Sequence, residues 1–505
     1  MTRRSRGPAV LLAALALAPW GTACRGPVPE VRVGSKKFTE SVVLGEIVTQ
    51  VLRSTGTRAE HRAQLGGTQV LWHALLAGEI DLYPEYTGTI REDILRVAAS
   101  DADDESLRRT LAAQGVGMSG VLGFDDSYAL GMKEADAARL HVTRISDLRG
   151  LPQLRLAFSE EFLNRRDGWP SVREIYGLPQ TAVRSLDHDL AYRALAAGDV
   201  DAIDLYTTDA EIPYYHLRVL EDDLGHFPRY RAVLLYRLDL PERSASALGS
   251  LAVLEGRIAA GDMQRLNARA KMDRVPEPVV AAGFLATALG MEGGPGREGR
   301  ARRIGRYVAE HIALVAASLS VAILVAVPLG VVAARRRAFG AVLLAVAGVV
   351  QTIPSLALLV LMIPLLGIGT LPAVTALFLY SVLPIVRNTV IGLNEIPTAL
   401  LESADVLGLS SWARLLTIEL PLASPSIMAG IQTSAVINVG TATLGALIGA
   451  GGLGQPILTG IRLDDLDLIL EGAVPAALLA LLVQAAFAGA GRLIIPRGLR
   501  LRPDA

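Results

Sequence analysis

The chain has 505 residues, 49 Lys and Arg against 50 Asp and Glu, and a hydrophobic share of 51%. The balanced charge excludes a nucleic-acid partner held by a basic face, and the apolar excess excludes disordered and collagen-like classes. A single cysteine, Cys24, excludes a disulfide framework and a Cys-based zinc site.

Residues 1–24 place Arg3, Arg4 and Arg6 before an apolar run from Pro8 to Pro19, with small residues before Cys24. That pattern predicts an export signal, because the apolar run is too short to span a membrane. Gly21-Thr22-Ala23-Cys24 is similar to a lipoprotein cleavage box, so Cys24 is a candidate lipidation site. The alternative is an ordinary or retained signal.

From Glu30 to about residue 290 charges recur every few positions, as in a water-facing domain. Val31–Val33 reads as a strand, and the apolar positions 43, 44, 47, 48, 51 and 52 share one face of a helix that starts near Thr39. Gly67–Ala77 reads as a second helix. This alternation predicts α/β layers. Leu76–Tyr83 and Ala197–Tyr206 echo each other as helix end, Gly stop, strand and Tyr, followed by Thr hydroxyls. Two similar lobes follow, with both Tyr-bearing turns beyond strand carboxyl ends, where ligands bind in open α/β sheets. The Asp101–Glu105 acidic run reads as a solvated loop.

A Gly/Arg-rich stretch, 291–306, marks the domain boundary. Beyond it, residues 312–334, 338–386, 422–461 and 472–491 contain no Asp, Glu, Lys or Arg. A crossing needs about 20 apolar residues for about 30 Å of hydrocarbon, so residues 307–495 are read as five spans: 312–334, 340–366, 371–386, 421–447 and 469–491. With the N-terminal domain outside, span one ends inside at Arg335-Arg336-Arg337 and span five at Arg492 and beyond, as the positive-inside rule requires. The five Arg of the 291–306 stretch lie on the outer side against that rule, which large translocated domains tolerate. Gly440, Gly445 and Gly449 recur where small residues let helices approach or leave room for a passage. Carboxylate-free spans argue against a proton-coupled carrier. The chain has no G-x-x-x-x-G-K-[ST], H-E-x-x-H or G-x-S-x-G, so it is not itself an ATPase, and no cofactor, metal or catalytic residue is expected.

Six motifs between residues 30 and 290 come in order: Gly34–Glu40, Tyr86–Thr89, Asp126–Tyr128, Glu161-Phe162 with Arg165–Gly168, Asp204–Asp209 and Phe227–Tyr230. Together they resemble the substrate-binding proteins of glycine betaine/carnitine/choline (osmoprotectant) ABC importers. The resemblance implies a type II two-lobed periplasmic-binding-protein fold, with lobe one at 30–129 and 231–290 and lobe two at 130–230. It implies a cage of Tyr86, Tyr128, Tyr206 and Tyr230 around a quaternary ammonium, with Asp126 adding negative charge. Such a cation has no N–H to donate, so π faces supply the attraction, up to about 2 kcal/mol each when dry. Lys36, Thr89 and Arg165, or Arg166 in place of Arg165, match positions that would hold a ligand carboxylate.

Between spans three and four, Glu402, Ser403, Ala404, Gly408, Ile418, Leu420 and Pro421 resemble the EAA loop of ABC importer permeases, over 402–421. Residues 307–495 are similar to the all-α permease of the same importers. The resemblance implies a receptor fused to a permease, taking up a quaternary-ammonium solute (glycine betaine, choline, carnitine or proline betaine) with a separate cytoplasmic ATPase. It also implies a homodimeric permease in contact with lipid, in the bacterial cytoplasmic membrane, with the receptor extracytoplasmic. The alternatives are another betaine or a polar amino acid as ligand, or a membrane-anchored solute sensor.

Overall fold

The computed structural model describes residues 31–96, 103–291, 299–463 and 465–494. The signal segment 1–24 with Cys24 lies outside them. The described residues fall into two compact units, one built mainly from residues 29–298 and the other from residue 299 onwards.

The first unit holds two five-stranded sheets. The first has the order β2-β1-β3-β10-β4, from β1 (Val31–Gly34), β2 (Ala59–Arg62), β3 (Leu82–Tyr86), β4 (Val116–Met118) and β10 (Ala232–Arg237). The second has the order β7-β6-β8-β5-β9, from β5 (Tyr128–Lys133), β6 (Leu156–Phe158), β7 (Val183–Ser185), β8 (Ala202–Tyr206) and β9 (Leu217–Val219). In each sheet four strands share one direction and one, β10 or β5, runs antiparallel to them in fourth place. The echo read from the sequence is therefore a repeat of topology. The inner parallel strands β1, β3, β6 and β8 are buried on both faces almost wholly, whereas the edge strands β2 and β7 are partly exposed. Pro84 sits inside β3 because β1 pairs with that strand only at Leu82, so no ladder donor is required of Pro84 on that side. Tyr128 pairs with Tyr206, which places Tyr128 and Ala129 in the second sheet and moves the lobe boundary ahead of 129.

The chain passes between the lobes twice, near Asp125–Ser127 and Pro228–Arg231. The two passages are tied together by an Asp125–Arg231 bridge and by the Asp126 amide donating to the Tyr230 carbonyl at 3.0 Å.

The second unit is helical. Arg300–Arg335, Thr370–Asn394, Ser411–Ile448 and Leu466–Gly491 are long and apolar enough to cross a membrane. Arg337–Thr352 and Ser355–Leu366 are bent by 101° and make a fifth crossing if taken as one span. The bend falls at Pro354, which forces Ile353 out of the helical region; the freed Ile353 carbonyl accepts from the Tyr380 hydroxyl. The two ends of this pair lie at opposite ends of the unit. Its start follows Arg335, which binds Glu419 at 3.1 Å, whereas its exit at Gly369 donates to the Ile448 carbonyl at 2.7 Å. It is thus a broken crossing. At the Ile448 end, the Gly452 amide bonds Glu310 at 3.0 Å and His311 bonds the Val439 carbonyl at 2.9 Å.

Residues 300–306, read from the sequence as linker, are the first two turns of the 36-residue helix, held by Arg300 and Arg303 on Glu471 and by Arg306 on Glu310. Close helix packing falls elsewhere than at Gly440, around which space is open. A Cβ at Gly330 would lie 2.6 Å from Thr389, and one at Gly430 would lie 2.7 Å from the Pro384 carbonyl. Asn438 joins three helices by donating to Ser318 at 3.1 Å and to Ser381 at 2.9 Å. Leu478, Leu481 and Leu482 point outward, as a lipid-facing surface requires.

Candidate functional site

Strand ends and crossings bring together the residues singled out in the first unit. Lys36 follows β1, Tyr86 ends β3, Thr89 lies one turn further on, Tyr128 opens β5 and Tyr206 ends β8. Asp126 and Tyr230 lie on the two passages between lobes, and Arg165 follows the Glu160–Asn164 helix. Seven of these residues are buried; Tyr206 is half-buried.

The phenol rings adjoin one another. Tyr128 lies 4.9 Å from Tyr206 and 5.6 Å from Tyr230, ring centre to ring centre. Tyr86 is linked to them through Phe38, at 6.3 Å from Tyr86 and 5.8 Å from Tyr206. The result is a continuous aromatic surface of five rings. Phe38 was not among the expected ring residues, although it lies inside the first motif; its place is set by the turn between β1 and the Thr39–Ser54 helix. Gly88 lets Tyr230 in, since a Cβ there would lie 2.6 Å from the ring.

Two carboxylates lie against these rings. Tyr86 donates its hydroxyl to Glu40 at 2.6 Å, and Asn267 donates to Glu40 at 2.9 Å. The Thr208 hydroxyl bonds Asp126 at 2.6 Å and also contacts Glu40. A hydroxyl has one proton, so Thr208 cannot serve both carboxylates fully as a donor, and Glu40 and Asp126 titrate as a coupled pair. Burial, partly offset by bonds from Thr208, Tyr86 and Asn267, raises the Glu40 carboxyl above its ordinary range. Burial, together with the charges of Glu40 and Asp209, raises Asp126 well above its own. His188 stacks 4.5 Å from Tyr206 and bonds Asp209 at 3.0 Å. Burial works against the His188 cation, but Asp209 outweighs it and holds the imidazole well above its usual value.

Because folded Asp126 binds its proton more tightly than the unfolded chain does, stability falls as pH rises from the ordinary carboxylate value of about 4 towards the raised one. Asp126→Asn removes this decline. Relative to the parent, the variant should gain stability steadily from about pH 4 to pH 7. Thermal unfolding across that range checks it, and a pH-independent difference is the contrary result.

The cations of the site are already engaged. Lys36 donates to Glu85 at 2.6 Å, and Arg165 makes two 2.9 Å bonds to Asp167 and a third of 3.1 Å to Tyr230. Arg165 is buried under Tyr128 and Tyr230 and reaches the wall of a cavity of about 450 Å³, which it shares with exposed Arg166 and with Thr68, Asp93 and Glu161. Beside Phe38, Glu40, Asp126 and Tyr206 only about 20 Å³ is open, too little for a trimethylammonium group, so a guest there requires the rings to part.

In the second unit the Thr398–Val406 helix ends at Gly408, whose φ of +73° favours glycine, and Ser410 caps the next helix. Ala404 is buried, Glu402 exposed, and Ile418, Leu420 and Pro421 are half-buried where the next crossing begins. Arg414 fastens the turn by bonding Asp405 at 2.6 Å and Glu419 at 2.8 Å. Around it Val406, Leu407 and Trp412 are 88%, 77% and 67% exposed, an apolar patch that the motif alone did not single out.

Residues 29–287 match a family described as the substrate binding domain of ABC-type glycine betaine transport systems, and residues 326–499 match the binding-protein-dependent transport system inner membrane component. Over 191 residues the chain is 44% identical to the glycine betaine/carnitine/choline transport system permease protein OpuCB of Bacillus subtilis (strain 168), covering 38% of this chain and 88% of that one. Over 196 residues it is 43% identical to the osmoprotectant import permease protein OsmW of Salmonella typhimurium (strain LT2), covering 38% and 91%. A crystal structure of a glycine betaine/carnitine/choline ABC transporter aligns with a TM-score of 0.45 at 26% identity, over 50% of this chain and 97% of that one.

Proposed function

Since the chain belongs to the family of substrate binding domains of ABC-type glycine betaine transport systems, and through its helical unit to their inner-membrane permeases, we propose that its five-ring surface receives a quaternary-ammonium solute and that its helical unit passes the solute inward. The chain is a transport subunit in which receptor and permease are fused, a multi-pass protein of the bacterial cytoplasmic membrane. ATP hydrolysis belongs to a partner ATPase, and the cargo is a small molecule.

The observation that carries the ligand reading is the unbroken aromatic run Tyr86, Phe38, Tyr206, Tyr128, Tyr230 beside Glu40 and Asp126. π faces and carboxylates attract a cation without needing a donor from it, and the hydrocarbon coat of a trimethylammonium group suits a water-poor site. Lys36 stands 5.6 Å from the Tyr86 ring centre, and Thr89 follows Tyr86 by one turn. Glu402, Ala404, Gly408, Ile418, Leu420 and Pro421 shape a helix-turn-helix whose exposed apolar patch is suited to the ATPase. Five crossings are few to enclose a path, which supports two copies side by side among lipid, with a receptor on each.

Full-length protein in proteoliposomes with its ATPase enclosed should take up labelled choline or glycine betaine only when ATP is inside. Uptake of neither solute under those conditions, with a polar amino acid carried instead, overturns the ligand assignment.

A further inference from the structure

We propose that the aromatic site selects a trimethylammonium cation that carries no carboxylate, an alcohol such as choline rather than a betaine. The inference rests on the cage reading above and refines its ligand class.

It follows from the pairing of the charges around the site. A betaine needs two subsites, aromatic faces for the ammonium and a free cation for the carboxylate. Arg166, the alternative to Arg165, is exposed and bonds the Arg96 carbonyl at 3.4 Å, and the two buried candidates for the second task face carboxylates of the chain itself. Lys36 reaches Glu85, which is fully buried and also accepts from the Tyr86 amide at 3.0 Å. Arg165 and Asp167 are both buried and meet through two parallel bonds, the fork geometry that gives a guanidinium its strongest hold on a carboxylate. Of the other cations near the rings, His188 bonds Asp209 at 3.0 Å and Lys271 bonds Asp189 and Glu211. Apart from exposed Arg166, each of these cations is thus matched by a carboxylate of the chain.

What is left at the rings is negative. Glu40 and Asp126 are held by neutral donors, the Tyr86 and Thr208 hydroxyls and the Asn267 amide, and no cation among the described residues is bonded to either, so negative charge developed on them has no partner within the site. A cation entering beside Phe38 and Tyr206 offsets that charge. A ligand carboxylate would add a second anion to a buried site, or break the Arg165–Asp167 fork and strand Asp167, and both are costly where water is excluded. A ligand hydroxyl meets no such obstacle, because Glu40 and Asp126 are acceptors.

Titration calorimetry on the full chain in nanodiscs at pH 7 tests this with three probes: choline, glycine betaine and the uncharged isostere 3,3-dimethylbutan-1-ol. Choline should bind at least tenfold more tightly than glycine betaine, and Asp167→Asn, which frees Arg165, should narrow that ratio at least threefold. Glycine betaine binding as tightly as choline overturns the selectivity while leaving the cage intact. So does an unchanged ratio in a folded Asp167→Asn protein. Choline binding no better than the uncharged isostere overturns the cage reading itself. The comparison of ligands on the parent chain stands whether or not the variant folds.

Discussion

Tyr206→Ala should weaken binding of choline to the full chain by at least tenfold, while Tyr206→Phe stays within about threefold of the parent. Tyr206 is the pivot of the aromatic surface, touching Phe38 at 5.8 Å and Tyr128 at 4.9 Å, and it is half-buried, so its loss opens the site without emptying a core position. One dry cation–π contact contributes up to about 2 kcal/mol, roughly thirtyfold in affinity at that upper value. The phenylalanine variant keeps the π face and gives up only the 3.3 Å contact between the Tyr206 and Tyr128 hydroxyls. Titration calorimetry of both variants with choline provides the measurement. Equal affinity in the parent and Tyr206→Ala would remove the ring from the site, and a tenfold loss in Tyr206→Phe would assign recognition to the hydroxyl instead.

The second large effect is expected in uptake without any change in binding. Val406→Glu combined with Leu407→Glu should lower ATP-driven uptake more than tenfold in proteoliposomes, with choline affinity and thermal stability as in the parent. Both side chains stand almost fully in solvent, so the change costs little in folding. They flank the turn that Arg414 fastens to Asp405 and Glu419, and an apolar patch on so rigid a turn suits a protein partner. Two glutamates would put unpaired charge into that contact. Uptake at the parent rate would mean that the patch lies outside the ATPase contact.

The covalent order of the residues determined much of this by itself. Charge-free stretches of about 20 residues mark crossings because hydrocarbon admits no unpaired charge, and that reading needs no coordinates. The helix-strand-Tyr echo at residues 76–83 and 197–206 foretold two lobes, because each strand must end in a turn of the same chemistry. The tyrosines likewise lay within motifs legible one at a time. Tertiary structure decided what depends on pairs far apart in the chain. Phe38 joins the ring surface because the fold brings Tyr86 and Tyr206 of the two sheets to it, and the charge of Lys36 proves to be matched within the chain only once Glu85, 49 residues away, is seen to face it. The 101° bend within residues 337–366 and the helical state of 300–306 were hidden for the same reason. An apolar run with a proline reads alike whether straight or broken, and a Gly/Arg-rich stretch reads as linker until Glu471, 168 residues from Arg303, supplies its partner.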